Sequence, residues 1–97
     1  MAKDNRDEHG TLSGCSKETR EVIQRLDDLA MGCQRRSQYV EAELLMNCSL
    51  ELRARTFGSE HVAVAQGLNR LAGLFLVRKE YARAESFFKK SILTLQR

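Results

Sequence analysis

Two histidines, three cysteines and one adjacent pair of aspartates are the residues of this chain whose types could carry chemistry. None of them stands in a pattern that would. His9 lies in a charged stretch near the start, apart from any helical pattern. Asp27 and Asp28 would point about 100° apart on a helix, so they cannot act jointly on one small substrate. Cys15, Cys33 and Cys48 are odd in number and form neither a C-x-x-C pair nor a metal-ligand spacing. The phosphate-cradling, zinc-protease and nucleophile-elbow motifs do not occur. The expectation is a protein that is not an enzyme and takes no metal or cofactor.

If no residue does chemistry alone, the elements must explain the chain. Of its 97 residues 42% are hydrophobic and 30% charged, with no Pro and no Trp. Long helices are therefore unobstructed, and β-branched and aromatic residues are too sparse for sheets. One small domain is the upper limit for this length. The formal charge is +3, from 16 basic and 13 acidic residues. Basic residues gather in short groups such as Arg35-Arg36 and Lys89-Lys90 rather than in a patch, so no nucleic-acid partner is expected. The longest apolar run, Leu71 to Val77, is too short to cross a bilayer. The start, Met1-Ala2-Lys3-Asp4, has no apolar signal region, and the cysteine usage suits a reducing compartment, most simply the cytoplasm.

Self-comparison is more informative. Tyr39-x-x-Ala42-Glu43 returns as Tyr81-x-x-Ala84-Glu85, an offset of 42 residues. At that offset Leu26 matches Leu68, Leu29-Ala30 matches Leu71-Ala72, Arg36 matches Arg78, Ser49 matches Ser91 and Arg55 matches Arg97. Residues 26–55 set on 68–97 give nine identities in thirty, at helical intervals. The pattern predicts an all-α fold of two antiparallel helical hairpins, about four helices, after a disordered charged leader over residues 1–17. Repeat 1 spans about 18–56 and repeat 2 about 60–97.

The first helix is expected over about 18–36, burying Val22, Leu26, Leu29, Ala30 and Cys33 at spacings of a buried stripe. Ser37-Gln38 turns the chain. The second, about 39–55, buries Tyr39, Ala42, Leu45, Met46, Ser49 and Leu50, and Gly58 breaks it. Ser59 is the expected N-cap of the third, about 60–78, which buries Val64, Ala65, Leu68, Leu71, Ala72 and Phe75. After Lys79-Glu80 the fourth, about 81–96, buries Tyr81, Ala84, Phe87, Phe88, Ile92 and Leu95. Ala30 and Ala72 facing Ala42 and Ala84 allow close helix crossings. Cys33, matching Phe75, reads as a small core residue, and Cys48 falls on an outer helix, partly exposed.

The segment Phe57-Gly58-Ser59-Glu60-His61-Val62-Ala63-Val64-Ala65 resembles the inter-repeat signature of kinesin-light-chain-type tetratricopeptide repeats. So do Leu68-Asn69-Arg70-Leu71-Ala72-Gly73-Leu74-Phe75 and Tyr81-Ala82-Arg83-Ala84-Glu85. The resemblance covers about residues 20–97, and the 42-residue period fits that subtype. It gives His61 a place in the signature rather than a catalytic role. Two positions depart: Val62 stands where the family usually has Pro, and Arg70 where a second Asn is frequent.

The resemblance implies a scaffold or adaptor that binds a protein or peptide partner on a concave face made by the first helix of each hairpin. On the third helix that stripe is Val62, Gln66, Asn69, Gly73 and Leu76; on the first it is Arg20, Gln24, Asp27, Met31 and Gln34. Asp27 and Met31 stand where a clamp for chaperone C-termini would want basic or amide groups, so that subtype is not expected. The alternative is a structural end piece. Repeat arrays generally need about three units, and Phe87, Ile92 and Leu95 on the last helix would then drive self-association or cap another repeat protein.

Overall fold

The computed structural model describes residues 16–96; residues 1–15 of the expected leader, with His9 and Cys15, and Arg97 lie outside these, while Ser16 and Lys17 belong to the start of the first helix. Four helices follow in order: α1 (Lys17–Arg35), α2 (Tyr39–Phe57), α3 (Val62–Val77) and α4 (Tyr81–Leu95). Among the described residues there is no strand, and no helix is long and apolar enough to cross a membrane. Consecutive helices pack on one another, α1 on α2, α2 on α3 and α3 on α4.

Local chemistry sets the helix ends. Ser16 caps α1, its Oγ accepting from the Thr19 N–H at 3.1 Å. At the end of α1, Ser37 adopts φ 61°, and Gln38 N–H donates to Cys33 O at 2.8 Å. Forty-two residues on, Lys79 adopts φ 64° and Glu80 N–H donates to Phe75 O at 2.8 Å. This is one left-handed helix stop built twice. After α2, Gly58 takes φ 95°, a conformation that side chains resist. The cap of α3 differs from expectation. His61, not Ser59, is the N-cap, its Nδ1 accepting from Ala63 N–H at 2.9 Å while its ring stacks on Phe57 at 4.6 Å. Ser59 and Glu60 form the turn before it.

The core is centred on Ala30, Ala42, Met46, Leu71, Leu74, Phe75 and Ala84. The four alanines at the hairpin crossings are all buried, as their spacing predicts. The expected buried residues of α3 are buried without exception. On α2, Ala42, Met46 and Ser49 are buried and Tyr39, Leu45 and Leu50 half-buried. Close approach of α2 and α3 depends on Gly67: a Cβ there would lie 2.9 Å from Leu50 Cδ1 and 3.4 Å from Arg53 Cδ.

Two expected faces are corrected. On α1 the buried residues are Ile23, Asp27 and Ala30; Val22 and Leu29 are half-exposed and Leu26 and Cys33 half-buried. The matching α3 residues, Val64 and Leu71, are covered because α3 lies between α2 and α4, whereas α1 packs on α2 alone. On α4 only Ala84 and Ser91 are buried, with Phe87 and Phe88 half-buried. Tyr81, Ile92 and Leu95 are exposed, since α4 has α3 on one side and none of the described helices on the other.

Candidate functional site

The first helices of the two hairpins are linked through α2 by a buried ionic cluster that the sequence pattern did not single out. Asp27 on α1 is 4% exposed and Arg53 on α2 is 2% exposed. Arg53 Nη2 donates to Asp27 Oδ2 at 2.6 Å, and Ser49 Oγ donates to Asp27 Oδ1 at 2.8 Å. Arg53 Nε donates to Ser49 Oγ at 3.2 Å, and its Nη1 reaches α3 at Ala63 O, 2.9 Å away. The guanidinium thus bridges three helices, and its charge is matched by a carboxylate with both oxygens hydrogen-bonded.

Gln66 lies at the rim of this cluster, its Oε1 3.5 Å from Arg53 Nη1, and its side chain is exposed. With it on the same face of α3 are exposed Val62, Asn69 and Leu76, and half-buried Gly73. On α1, Gln24 and Met31 are exposed, and Arg20 and Gln34 half-buried. Nine of the ten residues expected on the groove are therefore at least partly accessible, and Asp27 is not.

Asp27 drops out because its carboxylate is buried against α2, where Arg53 and Ser49 take up both its oxygens. The repeat equivalent of Arg53 is Leu95, so the matching Asn69 has no buried cation beneath it and stays exposed. Here Ser91, the partner of Ser49 in the repeat, turns to the backbone and donates to Ala65 O at 3.0 Å. The Asp27 carboxylate is enclosed and so does not bear on a chaperone-tail clamp; exposed Met31 still stands where such a clamp would want a polar donor. The signal for Arg53 was a basic residue in the apolar register of α2, three positions after Leu50.

A second charged group ties the hairpins at the other end. Glu43 on α2 accepts from Arg78 at 2.8 Å and pairs with Arg83 at 3.5 Å, and Glu80 holds both arginines at 3.0 Å. Arg83 also lies over the Phe75 ring, 4.3 Å from its centroid. Among the self-association residues, Phe87 packs against Phe75 at 5.3 Å, so it belongs to the α3–α4 contact; Ile92 and Leu95, 55% and 57% exposed, do not.

Among the described residues no group of His, Cys, Asp and Glu could hold a metal ion. His61 is engaged in its cap and its ring stack, Cys33 is half-buried, and Cys48 is exposed on α2. What the accessible stripe can do is offer amide donors and acceptors beside small apolar patches, the chemistry of polypeptide recognition. No curated protein matches the chain. The family model for the tetratricopeptide repeat matches residues 21–93, three quarters of its length, and the chain belongs to the tetratricopeptide repeat family, whose repeats generally mediate protein–protein interactions.

Proposed function

We propose that the chain is a non-catalytic interaction module that holds an extended peptide, or a protein segment, along the accessible face of α1 and α3. The observation that carries this reading is the coexistence of exposed amides Gln24, Gln66 and Asn69 with exposed Met31, Val62 and Leu76 on those two helices. Beneath them the Asp27–Arg53 pair keeps the two helices in fixed relation. Amides bond to a ligand's backbone, and the apolar residues take one or two of its side chains. The domain begins at about residue 18 after a charged leader over 1–17, works in the cytoplasm, and belongs to the kinesin-light-chain-type subset with its 42-residue period.

The test is selection of peptides from a random library on the wild-type chain, followed by titration of the Gln24→Ala, Gln66→Ala, Asn69→Ala triple variant. Binding should weaken by about tenfold or more, equivalent to at least ~1.4 kcal/mol. Unchanged affinity of every selected peptide for the triple variant would place the binding face elsewhere.

A second reading has its own support: the module ends a stack, capping another repeat protein or self-associating through α4. It is favoured by the exposure of Tyr81 at the start of α4 and of Ile92 and Leu95 near its end.

A further inference from the structure

The four-helix stack contains one completed contact between hairpins, α2 against α3, and one open surface of the same design on α4. On α2 the contact is made by Tyr39, Glu43, Met46, Leu50 and Arg53. Leu50 and Arg53 close on Gly67, Met46 joins the cluster with Leu71 and Leu74, and Glu43 takes Arg78 and Arg83. Shifted by 42 residues, these become Tyr81, Glu85, Phe88, Ile92 and Leu95. The difference in cover is consistent along the face. Arg53 is 2% exposed and Leu95 57%; the Glu43 side chain is 24% exposed and that of Glu85 68%. Leu50 is half-buried where Ile92 is exposed.

Resting on the second reading above, we propose that this α4 face docks a helical hairpin of a different polypeptide, one presenting a small residue to Ile92 and arginines to Glu85. The specification is copied from the contact that α3 and α4 make with α2. The receiving helix needs a Gly67-like position against Ile92, leucines against Phe88 in the manner of Leu71 and Leu74, and cations in the manner of Arg78 and Arg83. Leu95 in place of Arg53 makes the far end of the face apolar, so the partner there needs an apolar group rather than a carbonyl.

A second copy of this chain does not meet the specification in the same register. Its α1 presents Arg25 where Gly67 stands, Glu21 for Ala63 and Gly32 for Leu74. Its α2 presents Glu41 in place of Arg83, which would set a carboxylate against Glu85. Arg36, in the place of Arg78, and Leu29, in the place of Leu71, fit, but they do not offset these mismatches. The exposed arginine at position 25 would hold the helices apart where α2 and α3 approach most closely.

The test rewrites that face. A chain carrying Glu21→Ala, Arg25→Gly, Gly32→Leu and Glu41→Arg, with Ile92→Glu to block its own α4, is mixed with wild type and followed by light scattering. The expected result is a 1:1 complex at low micromolar concentrations, weakened about tenfold or more by Ile92→Glu in the wild-type member, with wild type alone monomeric. Helix content by circular dichroism checks that the variant folds. Should it not fold, wild type extended after Arg97 by a second copy of residues 56–97 replaces it. Its unfolding midpoint should exceed that of the same extension with Gly67→Arg in the added copy. Wild type that self-associates through Ile92 as tightly as the mixture overturns this inference but keeps the second reading. No complex from a folded variant, or no gain from the extension, sinks both.

Discussion

The Asp27–Arg53 pair is where a single side chain has the most influence. Removing one partner leaves the other charged and buried, a loss of about 3–5 kcal/mol in comparable settings, whereas replacing both by apolar residues is often neutral or stabilising. Asp27→Leu and Arg53→Met singly should therefore each lower stability by about 3–5 kcal/mol. That is a large part of the margin of a small domain. The double variant should recover most of it. Urea unfolding of the four proteins gives the coupling energy directly; single variants that each cost under about 1 kcal/mol would mean that the pair is solvated rather than buried. Groove binding offers a second readout. If the pair fixes α1 against α3, the double variant should keep its stability and lose peptide affinity, a split that simple destabilisation does not give.

Among the elements, α3 was the most legible and α1 the least. The 3.6-residue period identifies a buried face when the helix is covered on both sides, as α3 is, and every expected residue there is buried. On α1 the same arithmetic misplaced the stripe by one position, because Val22 and Leu29 are apolar yet only one helix covers them. Asp27 is polar yet enclosed by a cation that the pattern of a single helix cannot reveal. Hairpin turns without glycine were legible from the repeat alone, Ser37 and Lys79 standing 42 residues apart. Another element-level feature is open to direct test. Val62 is the first residue of α3, and His61 before it has φ −84° and ψ 152°, the extended conformation that a following proline requires. A proline at the first helical position loses no intrahelical hydrogen bond and restricts the unfolded chain. Val62→Pro should thus raise stability by about 0.4–1 kcal/mol, read as a higher urea midpoint with unchanged slope. A drop would show that the Val62 side chain or N–H makes a contact that the proline breaks.

For the molecule as a whole, a stack of helices in which each packs chiefly on its chain neighbours distributes stability along one dimension. α3 has neighbours on both sides and nine buried residues, α1 and α2 have three and four, and α4 has two. Opening from either end costs the contacts of one helix; freeing α3 requires losing both its interfaces. The Asp27–Arg53–Ala63 bridge works against independent opening of α1, because α1 cannot leave without stranding Arg53. α4 is held by Ser91, by Arg83, which pairs with Glu43 and lies over Phe75, and by the Phe75–Phe87 contact, none of them a buried ion pair. Native-state hydrogen exchange followed by mass spectrometry should therefore find the slowest amides in α3 and the fastest helical amides in α4, with α1 between them. Asp27→Leu with Arg53→Met should leave the α3 ranking intact while bringing α1 down to the level of α4. If α1 already exchanges faster than α4 in the wild type, the buried pair does not fasten the first helix to the stack. The groove would then have a mobile wall, and peptide binding should slow exchange in α1 first.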